Sequence, residues 1–128
     1  MQYIGNIEKE TLKNENFRKV LNTTDRSQLV VMSLEVGNDI GMEVHNNHDQ
    51  FIRIEQGEAL VVMNGVETKV EDDFAVVIPA GVEHNIINIS ETEKLKLYTI
   101  YTPPEHEAGT IHKDKAEADA YELEHHHD

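Results

Sequence analysis

Turn residues recur along this chain at short intervals and leave no room for long helices. Gly37-Asn38-Asp39, Asn46-Asn47-His48-Asp49, Asn64-Gly65, Glu71-Asp72-Asp73 and Pro79-Ala80-Gly81 each interrupt an apolar-rich run. Gly and Asn tolerate positive φ and Pro lacks a backbone donor, so such clusters end strands. Asn64-Gly65 is the strongest of them. It separates 59–63 from 66–70, and Asn-Gly between two apolar runs specifies a two-residue hairpin.

The runs between the turns have strand character. Over 28–36, Val30, Met32, Leu34 and Val36 share one face, with Leu29 and Val31 on the other. The continuous apolar run 74–78 reads as a buried strand. With 17–21, 42–45, 50–55, 83–89 and 94–101, the chain offers about nine short strands, the number expected of a sandwich or barrel. The expected class is all-β. The expected layout is one domain with its core over about 17–102, an N-terminal arm over 1–16 and a tail over 103–128. Ile4, Ile7 and Leu12 could dock the arm. Pro103-Pro104 ends the strand region, and the Ala- and Glu-rich 113–123 suits a short helix.

Composition narrows the function classes. Lys and Arg number 11 against 25 Asp and Glu, for a net charge of -14. That balance works against nucleic acids and anionic membrane surfaces. There is no cysteine, so thiolate chemistry, Fe–S clusters and cysteine-type zinc sites are excluded. No apolar run reaches membrane-spanning length, and MQYIGNIEKE carries no signal pattern, so a cytoplasmic location is expected. His125–His127 resemble a tag remnant or a His-rich end and are left out of the functional reading.

Strand parity brings chemistry together. Residues two apart share a face, so Glu43 and His45 point one way and Met42 and Val44 the other. Gln50, Ile52 and Ile54 form a second inward face, and His84, Ile86 and Asn88 a third. If Glu43, His45, Gln50 and His84 all face the lumen, two imidazoles, a carboxylate and an amide oxygen converge. Two histidines and one carboxylate suit a divalent transition metal (Zn, Mn, Fe or Ni) and are a known set for non-haem iron.

These stretches resemble the two motifs of the cupin superfamily. Pro79, Gly81, His84 and Asn88 fall on the second motif, P-x-G-x-x-H-x-x-x-N, with Asp73 where the family usually has Gly. In the first motif, Gly57 matches the closing glycine and His45 the second histidine. Glu43 stands at the first histidine position and Gln50 at the glutamate position, so the carboxylate has changed sides. The resemblance implies a double-stranded β-helix, a jelly-roll-type barrel, with a metal at Glu43, His45, Gln50 and His84. Tyr101-Thr102-Pro103-Pro104-Glu105-His106 and Gly109-Thr110-Ile111-His112 resemble the ending of small single-domain cupins grouped loosely with mannose-6-phosphate isomerases. That resemblance implies isomerase-type proton transfer on a small polar substrate. An Fe(II) dioxygenase and a non-catalytic ligand-binding cupin are the alternatives.

Other residues carry narrower expectations. His48 shares parity with Gln50 and could ligate, though a solvated turn histidine is the plainer reading. Asn88 should fix backbone rather than ligate. Arg53 should face outward in a salt bridge, which leaves no obvious inward cation to hold a phosphate. Tyr98 and Tyr101 lie on opposite faces, so one should line the cavity. His106 and His112 could cover the mouth. Met42, Val44 and Phe51 leave an apolar outer face, to be covered by the N-terminal arm or by a second copy in a homodimer.

Overall fold

The computed structural model describes residues 2–124, so His125–His127 lie outside the described residues. The chain opens with α1 (Ile7–Lys13), capped by Asn6, whose side chain accepts from Lys9 N at 3.0 Å. Nine strands follow: β1 (Arg18–Thr23), β2 (Gln28–Leu34), β3 (Asp49–Gln56), β4 (Glu58–Met63), β5 (Val66–Glu71), β6 (Ala75–Ile78), β7 (His84–Asn88), β8 (Leu95–Thr102) and β9 (Ile111–His112). Helix α2 (Lys115–Glu124) ends the described chain.

The strands form a six-stranded sheet, ordered β6-β3-β8-β2-β1-β9, and a three-stranded sheet, β5-β4-β7. Every pairing is antiparallel, and the architecture is the double-stranded β-helix. Parity sets the lumen. Val30 and Met32 from β2, Ile52 and Ile54 from β3, Leu97 from β8 and Ile86 from β7 are each at most 1% exposed. Asn64 and Gly65, with φ of 48° and 81°, make the expected hairpin between β4 and β5. Asn88 fixes backbone as expected, donating to the carbonyls of Leu34, Glu35 and Glu93 at 3.0–3.2 Å.

Four expectations are corrected. Residues 42–45 form no strand. Isolated bridges, Asp39 with Ile87 and Glu43 with His84, tie 39–43 to β7, helped by bonds from Ile40 N to Ile86 O at 3.0 Å and from Gly41 N to Asn85 Oδ1 at 2.9 Å. Between those bridges four steps on one side (39 to 43) oppose three on the other (84 to 87), and Gly41 at φ 109° takes up the extra residue as a bulge. β6 is not buried on both faces. It is the sheet edge, and its outward Val77 is 62% exposed. The strand at 28 stops at Leu34, leaving Val36 exposed. The arm docks through buried Thr11 and half-buried Ile7, whereas Ile4 and Leu12 face solvent. Lys96, buried on the outer side of β8, anchors that arm by donating to Asn14 O and the Glu15 carboxylate.

Candidate metal centre

The segment carrying Glu43 and His45 is fixed by backbone bonds rather than by strand pairing. Glu43 N donates to His84 O and His84 N to Glu43 O, both at 2.8 Å. Gly81 N donates to His45 O at 2.8 Å. These bonds hold Glu43 and His45 against the turn and first residue of β7. Glu43, His45 and His84 each offer a ligand atom, and these atoms lie within 4.8 Å of one another.

The nitrogens are free to ligate. His84 Nδ1 lies 2.9 Å from Val82 O. A carbonyl only accepts, so Nδ1 carries the proton and Nε2 the lone pair. The Nε2 atoms of both His45 and His84 are buried and without hydrogen-bond partners. His45 Nε2 lies 3.8 Å from Glu43 Oε1, too far for a hydrogen bond and close enough for two ligands of one ion. Orphaned lone pairs beside a carboxylate are the donor set a divalent transition metal needs.

Gln50 is inward and 4% exposed. Its Nε2 donates to Thr99 Oγ1 at 3.0 Å, while its Oε1 is buried with no partner. The amide is thus turned with its acceptor free. It sits across from Tyr101, whose ring centroid is 6.1 Å from that of His45.

Several neighbours differ from expectation. His48 is not solvated: it is 8% exposed, its ring 4.5 Å from that of His45, and its Nε2 faces Glu105 Oε1 at 3.5 Å. Glu105 stands in the sequence only within the family-like ending 101–106 and with no site role, yet its Oε2 lies 3.4 Å from His45 Nδ1. Tyr101 is the inward tyrosine, and Tyr98 faces outward against Phe51 at 6.2 Å. Arg53 faces outward to Glu55 and Asp73, as expected. The expectation that no cation turns inward does not hold. Arg18 of β1 is 4% exposed, shares the inward face of Val20 and donates through Nη1 toward His112 Nδ1 at 3.2 Å. His112 is buried against Arg18, with its ring 5.0 Å from that of Tyr121.

Electrostatics follow from this packing. Burial pushes the Glu43 carboxyl up, but His45, Arg18 and His84 outweigh it and hold it below the usual carboxylate value. Burial lowers His45, and Glu43 with Glu105 more than compensate, so it lies above the usual imidazole value. Burial and then Arg18 push His106 down to about 2, so it is neutral. Burial raises Glu105.

A cavity of about 550 Å³ opens over this centre. Its walls are residues 42–45, Glu105, His106, Glu107 and, from α2, Tyr121 and Glu122. Met42 and Val44 are about half exposed at its rim, so the apolar cover expected for them is absent among the described residues. No Lys or Arg is among these lining residues.

Residues 30–101 match the Cupin domain family. The uncharacterized protein YrkC of Bacillus subtilis (strain 168) is 47% identical over 126 residues, covering 94% of this chain and 67% of that protein. The uncharacterized protein L612 of Acanthamoeba polyphaga mimivirus is 46% identical over 112 residues, covering 85% and 70%. Among solved structures, BH2720 of Bacillus halodurans superposes with a TM-score of 0.91 at 45% identity, covering 94% of this chain and 95% of that one. KdgF of Halomonas sp., at 20% identity and a TM-score of 0.64, shares the fold. With the family's domain spanning most of the barrel and its second-motif residues Pro79, Gly81, His84 and Asn88 in place, this chain belongs to the cupin family.

Proposed function

We propose that this cupin holds a divalent transition metal through Glu43, His45, His84 and Gln50 Oε1, and acts on a small polar organic molecule by isomerase-type proton transfer. The observation that carries the reading is the pair of unpartnered, buried Nε2 atoms of His45 and His84 beside the Glu43 carboxylate. A metal in such a site polarises a bound oxygen and makes an adjacent proton easier to remove. Glu43 supplies one negative charge. Gln50 offers a free amide oxygen, its orientation fixed by Thr99. Neutral His106, with Nε2 unpartnered, can exchange a hydrogen bond with a substrate hydroxyl, as donor or acceptor according to its tautomer. The acidic cavity wall disfavours a phosphorylated sugar, because its lining offers no cation to a phosphate.

Two imidazoles and one carboxylate also favour a second reading, an Fe(II)-dependent dioxygenase. Incubation of the metal-loaded protein with candidate sugars and polyols, with and without oxygen, separates the two. Turnover under nitrogen with Zn(II) or Mn(II) supports proton transfer. Oxygen uptake that requires Fe(II) supports the dioxygenase. Ligands bound and recovered unchanged under every condition would make the protein a binding module. We also propose a homodimer. The outer-face row Val77, Phe51 and Ile100 on β6, β3 and β8 would lie under the second copy, and light scattering in solution tests it.

A further inference from the structure

We infer that Glu105 is a positioning residue for the metal centre: its carboxylate, seated between His45 and His48, keeps the His45 proton on Nδ1 and so turns the Nε2 lone pair toward Glu43 and His84. This inference rests on the metal-binding reading above and adds a residue from outside both motifs.

The two ligand imidazoles are fixed differently. His84 Nδ1 donates to the Val82 carbonyl at 2.9 Å, which settles its tautomer within the backbone. His45 has no such carbonyl. A carboxylate lies on each side of its ring: Glu43 Oε1 at 3.8 Å from Nε2 and Glu105 Oε2 at 3.4 Å from Nδ1. Both attract the ring proton. If Nε2 kept it, the nitrogen facing Glu43 and His84 could not ligate. Glu105 is nearer, and its pull frees Nε2. A carboxylate behind a ligand histidine also raises the basicity of the metal-facing nitrogen.

The carboxylate lies between two imidazoles, with Oε2 toward His45 and Oε1 toward His48. Its Oε1 lies 3.5 Å from Nε2 of buried His48, and the His48 and His45 rings are tilted 35° to one another with centroids 4.5 Å apart. The backbone is pinned separately. Gln28, 1% exposed, accepts through Oε1 from Glu105 N at 3.2 Å and His106 N at 2.9 Å, and donates through Nε2 to His106 O at 2.7 Å. The Glu105 side chain can therefore be changed without releasing the segment that carries it.

The test uses the full chain with His125→Ala, His126→Ala and His127→Ala, so that the tail does not bind the probe metal. Zn(II) is titrated into this protein and into Glu105→Ala, Glu105→Gln and His84→Ala variants of it. Loss of the outer carboxylate should weaken Zn(II) binding about 10–100-fold in Glu105→Ala with the stoichiometry unchanged. Glu105→Gln should fall between, since an amide oxygen can face Nδ1–H in the same place but carries no charge. In the metal-free protein at about pH 9, where histidines are neutral, long-range ¹H–¹⁵N spectra should show His45 protonated on Nδ1. That preference should be lost in Glu105→Ala. Unchanged affinity together with an unchanged tautomer would overturn the inference. So would loss of Zn(II) in Glu105→Ala but not in His84→Ala, which would place the ion on His45, His48 and Glu105, whose ligand atoms also lie within 4.8 Å of one another. If the parent protein bound no Zn(II) at all, the metal reading would fail, while the tautomer comparison would still decide what Glu105 does to His45.

Discussion

Glu43 and His84 exchange two backbone hydrogen bonds of 2.8 Å, one in each direction, although Glu43 belongs to no strand. This single bridge brings the carboxylate of the first motif to the histidine of the second. The bulge at Gly41 lets the segment leave strand register, and the bridge catches it again just before His45. The site geometry thus depends on one pair of backbone bonds and on Gly81 N holding His45 O.

Gln50 stands where the family has glutamate, and its free Oε1 predicts that charge at this position tightens metal binding. Gln50→Glu should strengthen Zn(II) binding by about tenfold or more, equivalent to at least ~1.4 kcal/mol. Gln50→Leu should weaken it and also cost about 1–2 kcal/mol of stability by leaving Thr99 Oγ1 without its partner. Calorimetric titration measures the first effect and urea unfolding the second. Equal affinities for the parent protein and the Gln50→Glu variant would remove this residue from the donor set.

Gly57 and Asp73 both sit at positive φ, 109° and 73°. A Cβ on Gly57 would lie 3.2 Å from Lys94 O and 3.3 Å from Leu95 Cα, both backbone atoms. Gly57→Ala should therefore destabilise by more than about 1 kcal/mol. Asp73 takes a left-handed conformation that Asp tolerates better than most residues, in the position where the family usually has Gly. Asp73→Gly should be milder than Asp73→Ala, which meets the same backbone without that tolerance. Urea midpoints order the three variants, and an Asp73→Gly protein less stable than Asp73→Ala would contradict the conformational argument.

Glu15 links the N-terminal arm to β8 and should make that link acid-sensitive. Its contacts with Lys94 and Lys96 hold its carboxyl down to about 2, from an ordinary value of 4.5. A depressed folded value means the contribution is complete above the unfolded value and fades as pH falls from about 4.5 toward 2. Glu15 is largely exposed, so solvent screening limits its worth to about 1 kcal/mol or less. Glu15→Gln should lower the urea midpoint at pH 7, and the gap to the parent should close as the pH approaches 2. A gap constant with pH would show that the contact contributes through packing alone.

How much of this is legible in the sequence follows from the range of the interactions. Strand parity places Gln50, Ile52 and Ile54 inward because alternation is local. The Asn64-Gly65 hairpin is readable because its turn chemistry is contained in two residues. Parity also pairs Glu43 with His45, but it makes 42–45 a strand, since nothing in GMEVH reveals that Gly41 carries a bulge. His48 reads as solvated because Glu105 and Tyr101, which enclose it, come from the far end of the barrel sequence. Arg18 carries no motif, and its burial follows from the pairing of β1 with β2 and β9, which only the fold supplies.

The central claim is the metal centre, and the most direct measurement is metal content by elemental analysis. It is made on the full chain with His125–His127 replaced by alanine, purified without a metal column. About one equivalent of a transition metal, lost in Glu43→Ala and in His84→Ala, is the predicted result. No metal after reconstitution with Fe(II), Mn(II) and Zn(II), or metal retained in both variants, would contradict it.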